Sequence, residues 1–282
     1  MRKRKGENQS AGDALESFLN SISSSVPTVI PSKTSLAPPS SLHPFSSAPE
    51  KMEKFFSYSS SAPRRDEDAG ITLLSGPPCC GKTSLLFQFA VNRAAESGRG
   101  VVFICSKGRM ENNPPFLSQG VDPSMSLLQR IQIKYTEDGD EIRKYFAAFH
   151  LLDNFPAAVI VDDFADFFSE RSCQQRYGTT RARDLAMVRI LALCHNAIGH
   201  ANAKLGSLGS CNLLLSDVLQ GDTPRSLFIY KRWINSIYTI RADGTGSYTL
   251  QNIVSTESET KKARKAKYSV ALQNLVLEEI SS

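Results

Sequence analysis

The chain has 282 residues, room for one α/β domain with tails or for two small domains, and enough to bury a sizeable core. Its hydrophobic fraction of 41% is ordinary, and no run of 18 apolar residues occurs, so no membrane span is expected. The formal charge of +5 permits nucleic-acid binding without arguing for it.

Residues 1–68 are dense in Ser and Pro and are expected to be a disordered tail, with room for a short amphipathic helix near 13–22. A transit peptide is the competing reading, but Glu7, Asp13 and Glu16 count against it because such peptides avoid acids. Lys3-Arg4-Lys5 has the character of an import signal or of a solvated basic run. From Ile71 the pattern changes. Short apolar runs at 71–75, 101–105, 130–135, 157–162 and 211–216 read as strands. Helical spacing appears at 83–96, 138–152 and 180–203. This alternation implies a mostly parallel sheet with helices on both faces, over residues 69–254. Leu227–Lys231, Ser236–Arg241 and Ser247–Ile253 read as further strands, the last two forming an antiparallel hairpin around Asp243-Gly244. Residues 255–282 read as a basic tail with the cluster 261–267; within it Val270–Ile280 suits a helix or a strand.

The most specific signal is Gly76-Pro77-Pro78-Cys79-Cys80-Gly81-Lys82-Thr83, a full match to G-x-x-x-x-G-K-[ST]. It stands between an apolar strand and an amphipathic helix that opens with Ser84. A glycine loop entering a helix gathers backbone N–H groups at the positive end of the helix dipole, where phosphate oxygens bind. Residues 76–84 are therefore the expected ATP contacts, with Lys82 reaching the outer phosphates and Thr83 ligating Mg2+. A second run, Ala157-Ala158-Val159-Ile160-Val161-Asp162, ends in an acid at a strand's carboxyl end. Asp162 is the expected magnesium carboxylate, with Asp163 as the alternative.

Cys79, Cys80, Cys105, Cys173, Cys194 and Cys211 are scattered without a C-x-x-C pair, which reads as reduced thiols in an intracellular protein. Cys194-His195, inside a helical run, reads as a packed core pair rather than as metal ligands.

With these residues in view, the chain resembles the RecA/RadA-type recombinases and their paralogues over about residues 70–253. The likeness rests on GPPCCGKTSLLFQFA, AAVIVDDFADFF and the loop-to-helix stretch SERSCQQRYGTTRARDLAMVRILALCHNAIGHANAK. Gly76 and Asp162 stand 86 positions apart, which suits the RecA-like branch, where a strand separates the two nucleotide-binding strands. The segment LLQRIQIKY and the helix before the acid strand are more narrowly similar to the ATPase subunit that partners a SWIM-domain zinc protein in Shu-type complexes. That resemblance implies a RecA-like phosphate-loop NTPase core, a nuclear accessory subunit for homologous recombination and double-strand break repair, and a heterodimer with the SWIM-domain protein. It implies work beside a recombinase or its paralogues, and single-stranded DNA binding. Arg171, Arg176, Tyr177 and Arg181 fall in or beside the family's first DNA loop; guanidinium groups would meet phosphates and Tyr177 would stack on a base.

The departures bear on activity. Where the family carries a catalytic glutamate after the second core strand, this chain reads Ser106-Lys107-Gly108. A protonated Lys107 is no general base, and would instead pair with the γ-phosphate. The family's phosphate-sensing glutamine is absent, since Leu213-Leu214-Leu215 is followed by Ser216-Asp217. The second DNA loop is cut to about Val218–Ser226. ATP binding with weak hydrolysis is the resulting expectation. Phe45-Ser46-Ser47-Ala48 matches the F-x-x-A docking form, but so do Phe87–Ala90 and Phe155–Ala158 inside core elements. The alternative is an independent phosphate-loop kinase or nucleic-acid-dependent ATPase; neither an acceptor pocket nor a second motor domain is identifiable.

Overall fold

The computed structural model describes residues 52–56, 70–118, 121, 126–168, 179–253, 265–271 and 274–281. Three of its parallel strands are buried along nearly their whole length. β1 (Ile71–Gly76), β2 (Val101–Cys105) and β5 (Ala158–Val161) are almost wholly buried, as strands covered on both faces must be. β4 (Ile131–Tyr135) alternates buried and exposed residues and lies at the edge of the sheet. β6 (Asn212–Gln220) is longer than the expected 211–216. These five strands lie side by side in the order β1-β6-β5-β2-β4, all parallel. β6 therefore separates the glycine-loop strand from the acid strand.

Helices cover both faces. α1 (Lys82–Ser97) ends at Gly98, whose φ of 67° closes the helix in the left-handed conformation. It packs on one core layer with Leu74, Phe103 and Ile160. α2 (Lys107–Asn112) is a single short helix after β2, and β3 (Leu117–Ser118) follows it. α3 (Gly139–Ala147) starts at Asp138, which accepts from the N–H groups of Asp140 and Glu141. It is shorter than the expected 138–152; a 3-10 turn at Phe149–Leu151 takes over. α4 (Thr180–Leu205) runs 26 residues from a Thr179 cap. α3 and α4 cover the opposite layer, against Leu73, Ile104, Val159 and Leu215.

Three segments differ from expectation. Leu227–Lys231 is not a strand: α5 (Leu227–Tyr230) is one helical turn. In a strand Phe228 and Tyr230 would share a face, yet Phe228 is 72% exposed while Tyr230 is fully buried. Core packing overrides the strand propensity of this aromatic run. Residues 52–56, inside the stretch read as disordered, form a turn that buries Met52, Phe55 and Phe56 against α1. Residues 265–271 and 274–281, inside the stretch read as a tail, join the sheet. β8 (Ser236–Ala242) runs parallel to β1, and β9 (Ser247–Ile253), β10 (Lys265–Ala271) and β11 (Asn274–Ser281) follow it antiparallel. β3 closes that end, parallel to β11. Residues 218–226, where the resemblance implies a second loop cut short, hold a hairpin: β7 (Thr223–Pro224) folds back on the end of β6.

Among the described residues no helix is long and apolar enough to cross a membrane. Cys79, Cys80, Cys105, Cys194 and Cys211 are free thiols, and burial pushes that of Cys211 up to about 12. Cys194 is buried in the core while the exposed His195 packs its ring near Trp233.

Candidate nucleotide site

Parallel strands bring their carboxyl ends to one edge of the sheet, and there β1, β5 and β6 deliver the loop, the acids and a hydroxyl. Gly81 takes φ 81° at the mouth of α1 and Cys79 takes φ 58°, so the chain turns through two left-handed residues before the helix begins. A Cβ on Gly81 would stand 3.1 Å from Val270 Cγ2, and one on Gly76 would stand 2.7 Å from Cys80 Sγ. Both glycines thus serve close approach, and Gly81 serves conformation as well. Gly81 has no side-chain cap, which leaves the first amides of α1 to an external acceptor. Pro78 and Cys79 are exposed; Cys80 is buried, and its burial raises the thiol above the ordinary range.

Thr83 Oγ1 donates to Asp162 Oδ2 at 2.8 Å, joining residues 79 positions apart. Ser216, in the middle of β6 and just past its pairing with β5, donates to Asp162 Oδ1 at 2.6 Å and accepts from the Asp163 N–H at 2.7 Å. β6 is thus the bridge between loop and acids. Asp163 has φ 50°, which turns the chain just after Asp162 and keeps both carboxylates at the site. Lys82 Nζ donates to the carbonyls of Gly76 (3.3 Å) and Pro77 (3.2 Å) and stands 3.9 Å from Asp163 Oδ1. That oxygen is buried without a hydrogen-bond partner. Ser84, at 3% exposure, accepts from the Phe116 N–H at 2.9 Å and so anchors the segment after α2.

The donor set fits magnesium and a nucleotide. A hydroxyl and a carboxylate already meet, a second carboxylate carries a buried oxygen without a hydrogen-bond donor, and the loop offers amides and an ammonium. Among the described residues no group of three or more His, Cys, Asp or Glu could hold a metal alone. Magnesium held by one or two carboxylates plus phosphates and waters does not need such a group.

An ion-pair network extends from the acids. Arg109, on α2, pairs with both Asp163 and Asp166. Arg225 pairs with Asp166 at 2.6 Å and with Asp217 at 2.8 Å, and the Tyr230 hydroxyl donates to Asp217 at 2.8 Å. Burial raises the Asp217 carboxyl above its ordinary range, with Arg225 pulling the other way. Burial acts against the charge of Arg225 too, but Asp217 and Asp166 outweigh it and raise that group. The difference follows exposure, since the Arg225 side chain is 32% exposed and that of Asp217 is 0%. None of Arg109, Asp166, Arg225 or Tyr230 was marked by the sequence pattern. Lys107, expected to meet a phosphate, instead reaches Glu111 at 3.7 Å and is 55% exposed. Arg109 is the cation that α2 presents to the acids.

The loop is also braced from the far end of the sheet. The Tyr268 hydroxyl donates to the Cys80 carbonyl at 2.7 Å and that of Tyr248 to the Cys79 carbonyl at 3.4 Å. The two rings stack 5.6 Å apart.

Of the residues expected to meet DNA, Arg181 is exposed in the first turn of α4. Arg171, Arg176 and Tyr177 lie outside the described residues, as do Phe45–Ala48, Lys3–Lys5 and the basic residues 261–264.

No protein-family model matches the chain. It is similar to a human protein, ATPase SWSAP1 (Homo sapiens), at 25% identity over 145 residues; the alignment spans 51% of this chain and 58% of that relative.

Proposed function

We propose that this chain is a RecA-like ATP- and Mg2+-binding subunit that assists homologous recombination. The observation that carries the reading is the 2.8 Å bond from Thr83 to Asp162, which brings the glycine loop and the acid strand to one point. The order β1-β6-β5 supports the RecA-like branch, and the distant similarity to a protein named as an ATPase agrees with it. Lys82 and the amides of residues 81–84 bind phosphate; Thr83 and Asp162 hold the metal, with Asp163 beside them. The metal supplies charge neutralisation at the phosphates.

Hydrolysis is slow in this reading. The segment after β2 offers Lys107 and Arg109, and its Glu111 is 55% exposed and paired with Lys107. ATP then acts as a ligand that orders the subunit. The chain works in the nucleus with a SWIM-domain zinc protein and a recombinase, and binds single-stranded DNA through residues 171–181.

Calorimetric titration with Mg–ATP, paired with phosphate release, tests the core of this. Micromolar binding that is lost in Lys82→Ala, with turnover far below that of motor ATPases, is expected. A wild-type chain that binds no nucleotide, or a vigorous turnover abolished by Lys82→Ala, refutes the first or the second half respectively.

A further inference from the structure

Arg109 stands out from the other cations of the network. Its guanidinium reaches Asp163 and Asp166, and each of these acids has a second cation: Lys82 at 3.9 Å from Asp163 Oδ1, and Arg225 at 2.6 Å from Asp166 Oδ1. Withdrawing Arg109 therefore leaves neither acid without a positive neighbour. Arg225 is placed differently, because its departure would strip the cation from Asp217, whose side chain is 0% exposed. The side chain of Arg109 is 49% exposed and rides on a helix of only six residues, so it has room to swing. It is also near the right place. One carboxylate, that of Asp163, touches both Arg109 and the ammonium of Lys82, the group that meets the outer phosphates in the nucleotide reading.

Resting on that reading, we propose that Arg109 reads the terminal phosphate of a bound nucleoside triphosphate. On binding, its guanidinium exchanges the Asp163 and Asp166 carboxylates for γ-phosphate oxygens, to which a planar fork is matched in shape and charge. Asp166 stays with Arg225 and Asp163 stays beside Lys82. A diphosphate offers no such oxygens and leaves Arg109 on its acids, so Arg109 sets the preference for triphosphate over diphosphate.

The test is titration of the full chain with a non-hydrolysable ATP analogue and with ADP, both with Mg2+, for wild type, Arg109→Ala and Arg109→Lys. The wild type is expected to favour the triphosphate. Arg109→Ala loses roughly tenfold or more in triphosphate affinity, the size of a charge-assisted hydrogen bond, with ADP affinity unchanged. Arg109→Lys keeps the charge, loses the fork and falls between. An unchanged triphosphate-to-diphosphate ratio in Arg109→Ala overturns the proposal, as does an equal loss of both ligands. If the alanine variant melts below the assay temperature, the same ratio in Arg109→Lys decides. A wild-type chain that binds neither ligand overturns the nucleotide reading and this inference with it.

Discussion

Tyr268→Phe isolates one bond. The hydroxyl is removed while the ring stays, so the stack on Tyr248 and the contact with Phe56 persist. What is lost is a buried donor 2.7 Å from the Cys80 carbonyl. Tyr268 is fully buried, so water cannot replace it readily. A net hydrogen bond is worth about 1 kcal/mol, and an acceptor left buried without a partner costs about 1–3 kcal/mol. The expected loss is about 2 kcal/mol, or roughly 4–8 °C in Tm for a domain of this size. Tyr248→Phe is the internal control, since its bond is long at 3.4 Å and exposed, and the change should stay within about 0.5 kcal/mol. Urea unfolding followed by the emission of the single tryptophan, Trp233, measures both. Midpoints that shift equally for the two variants, or not at all for Tyr268→Phe, refute the claim that the buried hydroxyl holds the loop. A fall in the urea slope would point instead to a looser folded or a changed unfolded state.

Arg225→Ala should destabilise by about 3 kcal/mol or more near neutral pH, because Asp217 is then left charged and buried with Tyr230 and the Val218 N–H as its remaining donors. Adding Asp217→Asn to that variant should recover part of the loss; thermal melts showing under 1 kcal/mol for Arg225→Ala would contradict the account. Asp217 also gives a pH signature. Its carboxyl is raised by burial, so the folded chain binds that proton more readily than the unfolded one. The stability of wild type relative to Asp217→Asn should therefore fall as pH rises from about 4 through the raised folded value, and level off above it. A difference that grows with pH across that window reverses the sign and rejects the assignment.

The parallel half of the sheet was legible because β2 and β5 are unbroken apolar runs and β1 and β6 are built on short ones, as strands of a doubly covered sheet are. The meeting of the glycine loop with Asp162 was legible because the motif and the acid at a strand's end are fixed residue types, and the structure brings Thr83 within 2.8 Å of Asp162. Three things were not. Residues 52–56 carry only three apolar side chains, too few to set a period, and they order through contact with α1. β10 begins in a lysine-rich stretch; Lys265 and Lys267 lie on its more exposed side, while Ala266 and Tyr268 are its fully buried residues. The arginine network is a matter of distance in space: Arg109 and Asp166 are 57 positions apart, and Asp166 and Arg225 another 59. The resemblance pointed to Lys107, but two residues, about 200° of helical rotation, separate it from Arg109, so the two side chains leave α2 on different faces and only Arg109 meets the acids.

The brace on the glycine loop has a temporal side. Cys80 and Tyr268 are 188 positions apart, so the ribosome makes the loop long before it makes the hydroxyl that steadies it. The pairing of β3 with β11 spans a similar separation and cannot form earlier. Contacts this remote in sequence are slow to close, and they are closed after the parallel half of the sheet has had time to collapse. A nascent chain therefore carries an unsteadied loop for most of its synthesis. Ribosome-bound chains arrested before residue 265 should expose Cys79 and Cys80 to thiol reagents alike, whereas completed chains should shield Cys80.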